Sequence, residues 1–148
     1  MRIAVASDHG GFPLKQTVID TATSLNHEVI DFGTDSEVSV DFPDFVKKAG
    51  QAIQNGEADR AIMLCGSGVG ACIAANKMKG IYAAICHDVY SAHQGVEHDQ
   101  MNTLCLGGRI IGTELAKDLV SAFLTAEYFS GEKYQRRFDK IIDLEESM

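Results

Sequence analysis

The sequence predicts an α/β protein with a three-layer α/β/α, Rossmann-like architecture around a five-stranded parallel sheet. Two observations support this prediction. Five short apolar runs of strand length recur along the 148 residues, and amphipathic stretches of helix length separate them. Strands that alternate with helices form parallel sheets through right-handed crossovers, with helices on both faces. No linker or internal repeat divides the chain, so we expect residues 1–148 to form a single domain.

The elements of the first half follow from local patterns. Arg2–Ser7 (RIAVAS) is a nearly continuous apolar run, which is typical of a buried parallel strand. Leu14–Leu25 repeats apolar side chains at helical spacing, and a second short strand is expected at Glu28–Phe32. A polar loop that ends at Pro43 then precedes a helix at Asp44–Asn55.

The second half continues the alternation. By the same criteria we expect three strands and four helices, at Ala61–Leu64, Gly70–Lys77, Ile81–Cys86, Val89–Val96, Thr103–Leu106, Gly112–Tyr128 and Glu132–Glu145. Polar or glycine-rich segments (SDHGG, CGSGVG, CHD and GGR) follow four of the predicted strands. Because ligands in such folds bind beyond the carboxyl ends of the strands, we expect these segments to share one edge of the sheet.

Composition and charge argue against several classes of function. Thirteen Lys and Arg against 21 Asp and Glu give a net charge of −8, which poorly suits a nucleic-acid-binding protein. No apolar stretch approaches the ~20 residues that span a bilayer, so we expect no membrane partner. The apolar N-terminus is short and is interpreted as a strand rather than a signal peptide. The cysteines lack CxxC spacing, which predicts reduced thiols in a cytoplasmic protein, with Cys72, Cys86 and Cys105 packed in the core.

The segment IMLCGSGVGACIAANK, which begins at residue 62, is the richest in candidate chemistry. Gly66, Gly68 and Gly70 can turn backbone N–H groups toward one point ahead of a helix, and such a nest stabilises a phosphate or an oxyanion. The spacing to Ala71 also fits a dinucleotide fingerprint, with Asp88 as an acid further along. Two features weaken that interpretation: the motif follows the third strand rather than the first, and a cysteine adjoins it. The motif alone leaves both readings open.

Cys65 lies between the third strand and the next predicted helix, where a helix N-terminus favours the thiolate form. A thiolate can attack a phosphate or remove a proton. Low-molecular-weight tyrosine phosphatases grip phosphate with an arginine six positions after their cysteine, and here that position is Ala71. The loop thus contains no cation, which argues against phosphatase chemistry, and a general-base role remains open. Ser67 can donate to a developing oxyanion or act only as a turn former.

Two histidines are candidates for a role in a site. Asp8 and His9 directly follow the first strand, so we expect both at the ligand edge. His98 precedes the fifth strand and is expected near the opposite end of the sheet. If His98 is catalytic, it would act in a neighbouring subunit's site.

A basic cluster lies near the end of the chain. Lys133 and Arg137 are four residues apart, hence on one helical face, and can clamp a phosphate. Arg136 lies beside them, and Arg109 stands apart. An ordinary solvated helix face is the alternative interpretation.

Taken together, these segments resemble the type B ribose-5-phosphate isomerase family, which also contains the galactose-6-phosphate isomerase subunits. The resemblance covers nearly the whole chain, because VASDHGGFPLK, CGSGVGACIAANKMKGIYAA, HDVYSA, EHDQMNTLCLGGRIIG and EKYQRRFDKI occur in the family's order. It implies an intramolecular oxidoreductase that converts an aldose phosphate to a ketose phosphate, most simply ribose 5-phosphate to ribulose 5-phosphate. It also implies that no metal and no cofactor takes part.

The resemblance also implies residue roles. Cys65 would carry a proton between C1 and C2, Ser67 and the loop amides would stabilise the enediolate, and His98 with Asp8 would open the furanose ring. The implied substrate-binding residues are His9, Gly66, Gly68, Val69, Gly70, Asp99, Arg109, Lys133 and Arg137. A homodimer with shared sites is implied, with His98 supplied by the partner, and further pairing into tetramers is left open.

Four positions depart from the family's usual residues, and they put the identity of the sugar in question. Asp99 replaces an Asn, Gln100 an Asp, Lys133 an Arg and Phe42 a Tyr. Ionised Asp99 cannot donate a hydrogen bond, and Lys133 loses the bidentate grip of Arg on phosphate. A six-carbon substrate such as allose 6-phosphate or galactose 6-phosphate is therefore an alternative. A non-catalytic module that binds a nucleotide or a sugar phosphate is a third hypothesis.

Overall fold

Five parallel strands form one sheet in the order β2-β1-β3-β5-β4 in the computed structural model, which describes residues 1–148. The strands are β1 (Arg2–Ser7), β2 (Glu28–Asp31), β3 (Arg60–Cys65), β4 (Ala83–Ile85) and β5 (Thr103–Gly107). The helices are α1 (Phe12–Ser24), α2 (Phe42–Gln54), α3 (Val69–Ala75), α4 (Val89–Asp99), α5 (Thr113–Thr125) and α6 (Glu132–Glu146). The predicted fold class and the five-stranded parallel sheet are confirmed.

Two apolar clusters lie on opposite faces of the sheet and create the three layers. On one face α1, α4 and α5 bury side chains such as Val18, Val96 and Phe123. On the other face α2 and α3 do the same with Val46 and Ala71. Residues of β1 and β3 alternate between the two clusters, which explains why these central strands are apolar along their whole length.

Several helix boundaries differ from the predicted ones by two or three residues, and proline explains two of them. Helices α1 and α2 each begin two residues earlier than predicted, at Phe12 and Phe42, and each has a proline in its first turn. Proline fits there because its missing N–H is not needed at a helix start. Helix α4 ends at Asp99 rather than Val96, so His98 is helical. Helix α5 ends at Thr125, three residues before the predicted end.

Cysteine burial follows the sequence prediction for two of three residues. Cys86 and Cys105 are buried, whereas Cys72 is only half-buried at the margin of the core, so its prediction as a core residue is wrong in part. All four thiols are free. The structure contains no helix with the length and apolarity needed to cross a membrane.

Helix α6 lies on the outside of the fold and buries none of its residues. The Phe138 ring meets the edge of the Tyr82 ring at a centroid distance of 5.1 Å. Near its end, the Glu145 carboxylate accepts hydrogen bonds from the Gly80 N–H (2.8 Å) and the Tyr82 hydroxyl (3.1 Å). The helix is therefore fastened by a few contacts, and most of its surface remains open.

Candidate active site

A cleft of about 360 Å³ opens at the carboxyl edge of the sheet. It is lined by segments that follow β1, β3 and β5 together with the start of α2: Asp8, Phe42, Cys65, Gly66, Ser67, Gly70, Arg109 and Ile110. The expectation that the loops after these strands share one edge is confirmed. The cleft brings together a thiol, a carboxylate, a guanidinium and a glycine-rich turn.

Cys65 ends β3 and reaches the cleft although only 5% of the residue is exposed. The Gly68 N–H donates a hydrogen bond to its Sγ over 3.1 Å. Gly68 has a φ of +84°, a left-handed conformation that a residue with a side chain rarely adopts. The turn thus directs one backbone N–H at the sulfur.

The remaining N–H groups of the glycine turn divide into two sets. The Val69 N–H donates to the Ser67 hydroxyl over 3.2 Å, so this amide, like that of Gly68, already has an acceptor. The N–H groups of Gly66, Ser67 and Gly70 have no acceptor within the chain, and all three residues line the cleft. These three are therefore the amides of the glycine turn that have no partner within the chain.

The turn after β5 packs against the glycine turn and donates hydrogen bonds to it. The N–H groups of Gly108 and Arg109 donate to the carbonyls of Cys65 (2.8 Å) and Gly66 (3.0 Å). A Cβ atom added at Gly107 would lie 2.7 Å from the Ser67 carbonyl oxygen, so the two turns approach closely only because residue 107 is glycine.

His87 is a residue that sequence reasoning missed. Its Nε2 accepts a hydrogen bond from the Gly107 N–H over 3.0 Å, and burial lowers its pKa below 6.5. A neutral imidazole thus completes the support of the β5 turn. One feature of the sequence indicated a role for His87: it lies in the CHD segment, which follows the predicted fourth strand and so belongs to the ligand edge of the sheet.

Asp8 and His9 occupy the predicted edge, and both make contacts with backbone. The Asp8 Oδ1 atom accepts from the N–H groups of Gly10 (2.9 Å) and Gly11 (3.0 Å), which fixes the buried carboxylate at the cleft. The His9 Nδ1 atom accepts from the Val40 N–H over 3.2 Å. This interaction joins the loop after β1 to the loop that precedes α2.

Phe42 and Arg109 both line the cleft. A Cβ atom added at Gly70 would lie 2.6 Å from the Phe42 Cζ atom, so the aromatic ring packs directly against the glycine turn. Arg109 is exposed, and its side chain passes close to Gly66. Its guanidinium is a cation at the mouth of the cleft.

Four other predicted residues lie away from this cleft. Helix α4 returns the chain to the amino end of the sheet, so His98 lies at the opposite end from Cys65. The His98 ring stacks on Tyr134 at a centroid distance of 4.6 Å, and the Lys133 Nζ atom lies 5.0 Å from the centre of the same ring. With the exposed Asp99 and Arg137, these residues form what we call the α4–α6 cluster: His98, Asp99, Lys133 and Arg137.

The acid required by the dinucleotide interpretation has another role. The Asp88 carboxylate accepts from the Ser91 N–H over 2.6 Å and caps α4, and this backbone hydrogen bond lowers its pKa. The glycine turn also leads into a helix of only seven residues. Both features disfavour a dinucleotide site.

Comparison with known proteins identifies relatives along nearly the full chain. A family model described as Ribose/Galactose Isomerase matches residues 3–141. Ribose-5-phosphate isomerase B of Escherichia coli is 41% identical over 145 residues, which cover 98% of this chain and 97% of the relative. D-erythrulose-4-phosphate isomerase of Pectobacterium atrosepticum is 39% identical over 132 residues, which cover 88% and 87%.

A solved structure agrees with these relatives. Ribose-5-phosphate isomerase B of Clostridium thermocellum has a TM-score of 0.95 and 45% identity, with 99% of each chain covered. The resemblance noted from the quoted segments is thereby confirmed. The chain belongs to the Ribose/Galactose Isomerase family and is a sugar phosphate isomerase.

Proposed function

We propose that this isomerase interconverts ribose 5-phosphate and ribulose 5-phosphate, with Cys65 as the base that moves the proton. One observation carries the proposal. The Cys65 sulfur reaches a cleft whose wall also presents the unpaired N–H groups of Gly66, Ser67 and Gly70. A base and three oxyanion donors on one wall are the groups that an enediolate intermediate needs.

The proposed step balances as a proton transfer. The Cys65 thiolate removes the proton from C2 of the open-chain aldose, and the released electron pair forms the C1–C2 double bond while negative charge develops on O1. The thiol then returns the proton to C1, and the C2 hydroxyl loses its proton to become the ketone as O1 becomes a hydroxyl. The backbone donors bind the charged oxygen more tightly than the carbonyl, which lowers the barrier.

The remaining proposed roles concern ring opening and the phosphate. Asp8, held at the cleft, and His98 would transfer the protons that open the furanose ring. His9, Lys133 and Arg137 would bind the phosphate, which fixes C1 and C2 against the base without entering the chemistry. Three of these five residues, His98, Lys133 and Arg137, belong to the α4–α6 cluster. Within one chain this cluster lies at the end of the sheet opposite to Cys65.

This separation supports a homodimer with shared sites. Within one chain His98 and Cys65 lie at opposite ends of the sheet, so one copy cannot supply both to one substrate. Large apolar side chains are also exposed at the cleft wall and in the adjoining glycine turn, at Ile110 (62%) and Val69 (49%). A second copy that placed its α4–α6 cluster over the cleft would cover this apolar surface and complete the site.

A six-carbon sugar phosphate is the second candidate substrate. Phe42 packs against the glycine turn with no hydroxyl to offer a sugar, and Asp99 adds a negative charge to the α4–α6 cluster. Both features alter polar contacts rather than the base, so they bear on which sugar is turned over. A non-catalytic binding module is disfavoured by the Asp88 cap and by membership in an isomerase family.

The test is a turnover screen across aldose phosphates of four, five and six carbons, with kcat/KM as the readout. We expect the highest kcat/KM for ribose 5-phosphate. A higher value for allose 6-phosphate or galactose 6-phosphate would replace the proposed substrate and keep the reaction class. Saturable NAD binding without turnover of any sugar phosphate would contradict the proposal.

A further inference from the structure

The protonation pattern of His9 is set by a backbone group. A neutral imidazole has one N–H, and the nitrogen that accepts a hydrogen bond carries no proton. The Val40 N–H donates to Nδ1, so the proton of neutral His9 lies on Nε2. No group within the chain bonds to Nε2, which is therefore the nitrogen that can donate outward.

The loop that supplies this N–H is fastened by a buried lysine. Lys15, on α1, is 6% exposed, and its Nζ atom donates to the Thr34 carbonyl over 2.8 Å. The same ammonium lies 2.9 Å from an Asp31 carboxylate oxygen and 3.7 Å from one of Asp35. One buried cation thus holds the end of β2 and the first residues after it.

Close packing explains how the lysine reaches that position. A Cβ atom added at Gly33 would lie 2.7 Å from the Ser7 Oγ atom and 2.9 Å from the Lys15 Cδ atom. The Thr34 N–H also donates to the Ser7 carbonyl over 2.9 Å. Only a glycine at this point lets the Lys15 side chain pass beneath the loop, so the start of the loop is fixed against β1.

The far end of the loop is fixed as well. Phe42 begins α2 and packs its ring against Gly70 at the cleft. Val40 therefore lies between two anchored points, the Lys15 contacts and the Phe42 ring. The middle of the loop is exposed, with Val38 at 70% exposure, and contributes no packing of its own.

We propose that Lys15 is a positioning residue for the isomerase reaction. It holds the loop of residues 32–41 so that the Val40 N–H bonds to His9 Nδ1 and fixes the Nε2–H tautomer. The Nε2–H group of His9 is then the donor to the substrate phosphate. The inference rests on the proposed function for the role of His9 toward phosphate. The tautomer itself depends only on the contacts within the chain. A donor that is already fixed loses less conformational entropy on binding than a mobile one. The contacts that fix His9 should therefore strengthen substrate affinity.

Two variants with matched controls test the proposal. Lys15→Met removes the ammonium and keeps a linear side chain, and Lys15→Arg restores a cation at the same site. Val40→Pro removes the N–H that bonds His9. Val38→Pro is its control, because the Val38 N–H bonds only the Ser36 hydroxyl in the same loop.

The first readout is ¹⁵N NMR of the histidine rings in the enzyme without substrate. We expect wild-type His9 to show an unprotonated Nδ1 and a protonated Nε2. Val40→Pro and Lys15→Met should move the Nδ1 signal toward the protonated position, while Lys15→Arg and Val38→Pro should leave it in place. A protonated Nδ1 in the wild type, or an unchanged Nδ1 signal in Lys15→Met, would overturn the inference.

The second readout separates positioning from stability. We expect Val40→Pro and Lys15→Met to raise KM for ribose 5-phosphate and the dissociation constant for inorganic phosphate roughly tenfold, with kcat within about twofold of wild type. A lower melting temperature with unchanged KM and unchanged phosphate affinity would show a merely structural role and overturn the proposal. Inactivity of the wild type on every sugar phosphate would instead contradict the proposed function, and the NMR result on His9 would still decide the tautomer.

Discussion

Substitution of Gly68 by alanine should separate the stability of the glycine turn from its function. Gly68 has a φ of +84°, and a left-handed conformation costs an L-residue roughly 1–2 kcal/mol. A Cβ atom there would also lie 3.2 Å from the Leu106 carbonyl carbon, a contact with backbone that cannot easily yield. For a chain of 148 residues, each 1 kcal/mol lowers the melting temperature by roughly 2–4 °C.

Gly56→Ala provides the matched control. Gly56 has a φ of +74°, but nothing lies within 4 Å of its added Cβ atom, and it lies in the turn after α2. We expect both variants to melt at lower temperature, by roughly 2–8 °C for Gly56→Ala and by more for Gly68→Ala. Only Gly68→Ala should lose activity, because its amide holds the Cys65 sulfur.

The expected loss in kcat is roughly 100-fold, the effect of misplacing a reacting group by about 1 Å. Thermal unfolding by circular dichroism and steady-state kinetics with ribose 5-phosphate give the two quantities on the same samples. Equal kcat values for Gly68→Ala and Gly56→Ala would refute the reasoning, since the turn would then contribute stability alone.

Three further predictions follow from the titrating groups. Burial lowers the pKa of His87 below 6.5, so the unfolded chain binds more protons and the free energy of unfolding should fall as pH drops from 7 to 5; urea titrations should show a smaller fall in His87→Gln. The influence of the neighbouring Cys105 thiol lowers the pKa of Cys72 to about 6, whereas burial raises that of Cys86 to about 11. Iodoacetamide at pH 7 should therefore label Cys72 faster than Cys86, and mass spectrometry that found the two labelled at the same rate would disprove this. In the proposed dimer Asp99 adds a negative charge to the shared site, so Asp99→Asn should raise kcat/KM for ribose 5-phosphate about tenfold; an unchanged value would remove Asp99 from substrate choice.

The order of elements and the location of the site were predictable from the sequence because both depend on local patterns. Apolar runs and helical spacing specify which segments enter the sheet and which cover it. In a parallel sheet the segments after the strands meet at one edge, so Asp8, Cys65 and Arg109 could be assigned to one cleft before the structure was known.

The contacts that organise the cleft were not predictable, because they join residues distant in sequence. Nothing local indicates that Lys15 turns inward, since lysine on an amphipathic helix usually faces water. Pro43 was interpreted as the end of a loop, although it stands in the first turn of α2 and so brings Phe42 into the helix. The His87 contact depends on the register between β4 and β5, which periodicity does not give.

The division of the candidate residues between two ends of the fold was only partly foreseen. The sequence placed His98 before β5 and so away from the cleft, as the structure shows. Its stacking on Tyr134, and hence its grouping with Lys133, requires α6 to pack across the end of α4. Helix α6 buries none of its residues, so its apolar pattern does not predict which part of the fold it packs against.

The most direct test of the central claim is the kcat of Cys65→Ala with ribose 5-phosphate, measured beside the dissociation constant for the same sugar. Loss of the sulfur removes the proposed proton carrier and leaves the backbone donors of Gly66, Ser67 and Gly70 in place. We expect turnover to fall below detection while the dissociation constant stays within a few-fold of wild type. A Cys65→Ala enzyme that isomerised the sugar at the wild-type rate would contradict the account.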